Sequence, residues 1–210
     1  MDSVAVDRLH RLILGLAVVI TGLTAWFSSG YYAADEHYQV IAFAQQRLGE
    51  SSVVELPWEY DARIRSAALP MVAYTVIRAA RAVLHADPFL IAFLLRCLTA
   101  GAALFAVSAF VRVVLRTLDA PLRAAFVLLS YGLWFLPYQH VRFASETWAG
   151  LLLITALARM WHHGTNPKSD LLVGLLAGAC IVIRPAMILP WAGVFAWLVY
   201  ERRLDRKDAL

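Results

Sequence analysis

The chain has 210 residues, of which 61% are hydrophobic and 16% charged, and its formal net charge is +4 at pH 7. A soluble domain of this length normally carries more charge and less apolar sequence, so the composition predicts an all-α polytopic membrane protein. The positive charge comes from 17 Arg and two Lys in small clusters near predicted helix ends. Such clusters orient membrane helices, and we infer no nucleic-acid partner from them.

Six apolar runs are predicted to cross the bilayer, and they cover about 12–27, 88–111, 124–138, 147–161, 171–183 and 186–200. Crossing a bilayer core takes roughly 17–25 residues, which several of these runs approach. A cleaved signal peptide is the alternative for the first run, because the residues after it, 28–30, are small. Its length and the spans that follow favour a membrane helix.

The apolar segment 69–84 decides the topology. It is short for a span and carries Arg78 and Arg81 on one helical face, which is typical of a helix lying in the membrane interface. If it does not cross, the basic clusters at 112–123, 159–168 and 202–207 are all cytoplasmic, as is the N-terminus. If it crosses, the three clusters lie outside. We predict the first arrangement, in which residues 28–87 form an outer loop.

The start of this loop holds a candidate catalytic group. Asp35, Glu36 and His37 follow directly on the first span, which would keep them near the bilayer surface. A partly desolvated carboxylate there can act as a general base on a hydroxyl. Asp35 could equally cap a helix over 36–48, and the two roles are compatible.

Further along the loop, Arg63 and Arg65 lie beside Glu59 and Asp61. These residues either form surface ion pairs, which stabilise little, or leave one arginine to bind a phosphate bidentately.

Aromatic and charged residues elsewhere leave further alternatives open. Trp58 and Tyr60 are either interface anchors or platforms for a sugar. Glu146, at the outer end of a span, either pairs with nearby Arg142 or takes part in the site. Arg96, inside the span 88–111, either faces the helix bundle or extends toward the interface. His37, His140, His162 and His163 do not form a metal-binding set, and neither do Cys97 and Cys180.

The ordered set of motifs resembles the glycosyltransferase family 22 mannosyltransferases, the lipid-linked mannosyltransferases of N-glycan and GPI-anchor assembly and their bacterial relatives. The matching stretches are Asp-Glu-His-Tyr-Gln at 35–39, Pro-Trp-Glu-Tyr at 57–60, and Ile-Arg-Ser at 64–66 followed by Pro70. Arg142-Phe-Ala-Ser-Glu146 is similar to the family's Arg-Thr-x-Ser-Asn-x-x-Glu element, and Ile183-Arg-Pro-Ala to its Leu-Arg-Pro-Thr-Ala stretch.

This resemblance implies a GT-C-type transmembrane helix bundle with juxtamembrane helices in the first outer loop. It also implies a polyprenyl- or dolichyl-phosphate sugar donor, with Asp35 as the base, Arg65 at the donor phosphate and Glu146 as a second acidic group. Glu36 is the further catalytic candidate. The remaining candidates for substrate binding are Arg63, Arg142, His37, Trp58, Glu59 and Tyr60.

The sequence thus predicts transfer of a sugar, mannose by the resemblance, to a hydroxyl of a glycan or glycolipid on the outer membrane face. The membrane is predicted to be a bacterial plasma membrane, with the endoplasmic reticulum as the alternative, and no cofactor or metal is expected. Because members of that family are longer, residues 1–210 are expected to be the N-terminal part of the module, which leaves activity of the short chain open. The rival functions are a non-catalytic membrane subunit and a transporter, whose polar groups should line a path through the spans.

Overall fold

The structure is a computed structural model that describes residues 3–30, 36–52, 56–163 and 167–208, and every regular element in these ranges is helical. The helices are α1 (Ser3–Phe27), α2 (Ala42–Arg47), α3 (Trp58–Asp61), α4 (Ala68–Leu84), α5 (Pro88–Val114), α6 (Ala120–Gly132), α7 (Leu136–His140), α8 (Ser145–His163), α9 (Pro167–Ile183) and α10 (Ile188–Asp208). A π-helix, His37–Ile41, leads into α2, and a 3₁₀ turn, Pro185–Met187, leads into α10. The predicted all-α membrane class is confirmed.

Two of the described helices are long and apolar enough to cross a bilayer. They cover Val4–Phe27, with 24 residues, and Pro88–Val114, with 27 residues. At 1.5 Å per residue these helices rise about 36 and 40 Å, more than the roughly 30 Å of a hydrocarbon core. The positions of the other four predicted spans stay predictions.

The start of α5 follows from local sequence. The Asp87 carboxylate accepts hydrogen bonds from the backbone N–H groups of Phe89 (2.8 Å) and Leu90 (2.9 Å). Pro88 occupies the first turn, where its missing N–H costs nothing. The cap fixes where α5 begins, and the helix runs on to Val114, three residues past the predicted span.

The helix predicted over 124–138 ends earlier, at Gly132. Leu133 is extended (φ −65°, ψ 125°), and the short helix α7 follows. Pro137 gives the reason, because its ring would clash with the carbonyl of Leu133 in a continuous helix, and it has no N–H to donate there. The helix therefore breaks inside the segment 124–138, and the span over that segment stays a prediction.

Helix α4 is amphipathic and packs along one face. Its buried residues are Leu69, Pro70, Ala73, Ile77 and Ala80. They form a core with Val40 and Ala44 of the preceding helices, with Ile91 and Leu95 of α5, and with Phe143. At its exposed side Arg81 pairs with Glu50. That α4 lies in the membrane interface stays a prediction, and what the packing establishes is that the loop helices rest on the first turns of α5.

The opposite end of the bundle has its own core. Val6 of α1 packs with Val111 and Leu115, at the end of α5, and with Val127 of α6. Helices α8, α9 and α10 share a third cluster that includes Ala149, Cys180 and the fully buried Trp191. The end of α1, the start of α5, the start of α8 and the end of α9 therefore lie together.

We predict that the loop and the α5–α6 turn lie on opposite sides of the membrane. In a variant with both cysteines replaced by alanine, Ser52→Cys should react with an impermeant maleimide in intact cells. Thr117→Cys should react only after permeabilisation. Both positions are exposed. Labelling of both from outside would mean that α4 crosses the bilayer.

Candidate active site

Just after α1, two backbone carbonyls accept hydrogen bonds from two arginines. Arg96 of α5 donates one hydrogen bond to the Ser28 carbonyl and another to the Gly30 carbonyl (3.2 Å). Arg142 donates to the same Gly30 oxygen, at 3.1 Å. We call these four residues the carbonyl clamp. It explains Arg96, which faces the bundle and fixes the end of α1.

Arg142 is also the centre of a buried ion pair. Its side chain is 3% exposed and lies 3.8 Å from the carboxylate of Glu36, which is 7% exposed. The Tyr138 ring covers the guanidinium, with its centroid 4.0 Å from Cζ, a cation–π geometry. Because charges taken out of water need a partner, this pair binds the segment after α1 to the chain before α8.

The predicted base, Asp35, lies outside the described residues. The described residues on either side of the segment 31–35 are Gly30 and Glu36. Both contact Arg142, Gly30 through its carbonyl and Glu36 through its carboxylate. The two described residues that flank the segment therefore meet at one side chain.

After Glu36 the chain continues as the π-helix His37–Ile41, close to the predicted start of a helix at 36. Single π turns occur frequently at functional sites. Gln39 donates from its amide nitrogen to a Glu59 carboxylate oxygen at 3.2 Å, and Arg65 donates to the same oxygen at 3.4 Å. Glu59 thus connects the first helix of the loop with Arg65.

A cavity of about 290 Å³ opens where the loop meets the starts of α8 and α10, and we call it the outer cavity. Gln39, Arg65 and Ser66 line it from the loop. Ser145 and Arg184 line it from the other side, beside Pro185. Residues that are distant in sequence therefore bring two guanidinium groups and two hydroxyls to one place, a set suited to a phosphorylated ligand.

Glu146 does not pair with Arg142, as the sequence suggested it could, but with Arg184. The same Arg184 guanidinium also lies 3.4 Å from the Ser145 hydroxyl. The reason is geometric, because Arg142 is turned inward to Glu36, whereas Glu146 starts α8 at the exposed rim. Arg184 received no role from the sequence, although an Arg-Pro pair between two apolar runs, on the predicted outer side, was a usable signal.

Comparison with known proteins shows the family of the chain. The model of the Alg9-like mannosyltransferase family matches residues 13–209, nearly the whole chain. The chain belongs to the Alg9-like mannosyltransferase family. No curated protein and no solved structure matches it. The predicted resemblance is confirmed, and glycosyl transfer is the reaction class of this membrane-embedded family.

Two other candidate residues lie at the surface of the loop. Arg63 is exposed, with φ +53°, and is not among the described residues that line the outer cavity. Trp58 is 69% exposed, as an interface anchor would be.

Tyr60 and His37 make local contacts. The Tyr60 hydroxyl donates to Gln46 at 3.2 Å, and its ring meets Phe43 edge-on, so Tyr60 packs α3 against α2. The His37 ring contacts Tyr38 edge-on.

His140 lies just before Arg142 and is buried. Desolvation lowers the pKa of its imidazole below the ordinary value of 6.5, so the ring is neutral at pH 7. His140 therefore adds no positive charge beside the Arg142–Glu36 pair.

The buried pair and the exposed pair should differ in what they contribute to stability. Glu36→Gln leaves the Arg142 charge buried without its anion, which we expect to cost about 3–5 kcal/mol. Glu146→Gln breaks the pair with Arg184. The side chain of Glu146 is 45% exposed and that of Arg184 is 34% exposed, so the loss should cost about 0–1 kcal/mol. Thermal unfolding of both variants in the same detergent measures the difference. Equal losses would mean that the Glu36 pair does not fix the loop.

Proposed function

We propose that this chain carries the catalytic face of an inverting mannosyltransferase. The donor is a polyprenyl- or dolichyl-phosphate sugar, and the acceptor is a hydroxyl of a glycan or glycolipid. Asp35 is the general base. The outer cavity binds the phosphate of the donor, and the site faces away from the cytoplasm.

The observation that carries this proposal is the convergence of Arg65 and Arg184 on the outer cavity. Each arginine already has a carboxylate partner, Glu59 for Arg65 and Glu146 for Arg184. Both pairs are partly exposed, so water screens them and the phosphodiester anion of the donor can compete for the guanidinium groups. Family membership supplies the reaction class, and the cavity supplies a place for the phosphate.

The contacts of the residues that follow Asp35 support its role as the base. Asp35 precedes Glu36, so their Cα atoms are about 3.8 Å apart whatever the conformation of the segment. Glu36 is fixed by Arg142, and Gln39, one turn further on, lines the outer cavity. These contacts support a role for Asp35 beside the donor, whereas Glu36 is buried against Arg142 and is better suited to positioning.

The reaction is a single displacement. The acceptor oxygen attacks C1 of the sugar while its proton passes to the Asp35 carboxylate. The bond from C1 to the phosphate oxygen breaks, and its electron pair stays on that oxygen. The lipid phosphate, still attached to its polyprenyl or dolichyl chain, is the leaving group. Arg65 and Arg184 balance the charge that develops on that oxygen, a form of preorganised electrostatic stabilisation.

The sidedness follows from the basic clusters. Arg112, Arg116 and Arg123 lie at the end of the bundle opposite the outer cavity, and clusters of this kind stay cytoplasmic. The site then faces outward from a bacterial plasma membrane, or into the lumen if the membrane is that of the endoplasmic reticulum.

Asp35→Asn should nearly abolish transfer. Asparagine caps a helix about as well as aspartate but cannot accept the proton of the acceptor, and losing a general base costs about 10²–10⁴-fold in rate. The measurement is transfer of radiolabelled sugar from the lipid phosphate by purified protein. Asp61→Asn, which removes an exposed carboxylate of the same loop, is the matched control and should keep normal activity. Near-normal transfer by Asp35→Asn would move the search for the base to Glu36 or Glu146.

Arg65→Ala should weaken use of the donor, because a bidentate charge-assisted contact to the phosphate is lost. Hydrogen bonds to charged groups contribute about 1.5–3 kcal/mol, so kcat/KM for the donor should fall on the order of 10- to 100-fold. Arg65→Lys should recover part of this. Arg63→Ala removes the same charge two residues away and should change little. Equal losses in Arg63→Ala and Arg65→Ala would remove Arg65 from the donor site.

A further inference from the structure

A second cavity lies at the other end of the bundle, between α5, α8 and α9. Its volume is about 510 Å³, within the range typical of ligand sites. Arg112 lines it from α5, Arg116 from the turn after α5, Arg159 from α8, and Leu172 and Leu176 from α9. We call it the basic cavity.

The basic cavity is separate from the outer cavity. At 1.5 Å per residue, Arg112 lies about 24 Å along α5 from Arg96, which belongs to the carbonyl clamp. On α8, Arg159 is similarly far from Ser145, which lines the outer cavity. This separation is close to the thickness of a hydrocarbon core, so the two cavities open toward opposite leaflets.

The charged residues among the described residues that line the basic cavity are all arginines. Arg112 lies on α5, Arg116 lies in the turn that follows it, and Arg159 of α8 meets them at the cavity. Among the described residues that line the cavity there is no carboxylate. Asp7 lines a neighbouring cavity of about 340 Å³, and it shares that space with Arg112, Arg116 and Arg123. Positive charge therefore exceeds negative charge on both sides of α5.

The guanidinium of Arg112 is oriented by its own helix. It donates to the Ser108 carbonyl at 3.2 Å and to the Ser108 hydroxyl at 3.1 Å. Like charges that converge repel each other, and apolar surroundings strengthen the repulsion. An anion between them would remove that cost. The tendency of arginines to stay on the cytoplasmic side explains why arginines lie at this end of the helices. It does not explain why arginines from two parts of the chain line the same cavity.

The rest of the lining is apolar. Ala109 and Phe105 continue along α5 from Arg112 toward the middle of the bilayer, Val113 lies beside the arginines, and Leu172 and Leu176 line the cavity from α9. A ligand that fits this lining has a negatively charged head and a hydrocarbon tail on the same molecule. A free phosphate would use the arginines and leave the apolar walls unoccupied.

We propose that the basic cavity binds an anionic glycerophospholipid of the leaflet opposite the sugar-transfer site. Arg112, Arg116 and Arg159 contact its phosphate, and one acyl chain lies along Phe105, Ala109 and Leu176. The lipid holds α5, α8 and α9 together and is not a substrate.

Native mass spectrometry of the purified full chain, titrated with phosphatidylglycerol in detergent, tests the proposal. Each arginine near an anionic headgroup contributes about 1 kcal/mol, so Arg116→Gln with Arg159→Gln should lower the apparent affinity on the order of 30-fold. Arg8→Gln with Arg11→Gln removes the same charge from exposed positions near the start of α1, at the same end of the bundle, and should lower it far less. Equal losses in the two double variants would show general charge attraction and overturn the proposal.

Two further measurements distinguish binding of a lipid from binding of a free phosphate. Ala109→Phe fills the apolar part of the cavity without changing charge, and it should reduce phosphatidylglycerol binding while circular dichroism stays that of the parent. Glycerol 1-phosphate at the same concentration should not displace the lipid. Displacement by glycerol 1-phosphate, or unchanged lipid binding by Ala109→Phe, would overturn the proposal in favour of a soluble phosphate. Because the readout is lipid retention, failure here leaves the proposed sugar transfer untouched.

Discussion

The buried guanidinium of Arg142 is the interaction on which the outer face depends. It contacts the Gly30 carbonyl at the end of α1, the Glu36 carboxylate at the start of the next helix, and the Tyr138 ring before α8. A buried charge with one anion and one carbonyl has few alternative arrangements, because each other geometry would leave it unpaired in a low-dielectric environment. The chain around 30–36 and the chain around 138–142, which are about a hundred residues apart, are thereby held in one arrangement.

Packing extends this arrangement to the outer cavity. Helix α4 shares its apolar face with Val40, Leu95 and Phe143, so the loop rests on α5 and on the residue after Arg142. Glu59 then connects Gln39 with Arg65 by hydrogen bonds. Rigid support of this kind is what a transferase needs, since most of its effect on a phosphate leaving group comes from position and charge.

Sequence reasoning reached the helical class, the family and the start of α5 because apolar runs and motif order can be read directly from the sequence. It missed the break after Gly132, although Pro137 indicated it. Ion-pair partners were out of reach, because the choice of Glu36 over Glu146 by Arg142 depends on helix rotation and depth. The function of Arg96 was equally hidden, since its acceptors are backbone carbonyls, which every residue has. The burial of these two arginines and the groups that they contact depend on the three-dimensional arrangement of the helices.

Ser28 and Gly30, the two carbonyl residues of the clamp, should differ in how well they tolerate substitution. A carbonyl oxygen is present whatever the side chain, so residue 28 can change and still accept the bond from Arg96. Gly30 has φ +65°, a left-handed backbone that other residues rarely adopt, even though a Cβ there would meet nothing within 4 Å. The restriction at residue 30 is therefore conformational rather than steric. A mutational scan of this segment should find its narrowest position at a residue that has no side chain and takes no part in the chemistry.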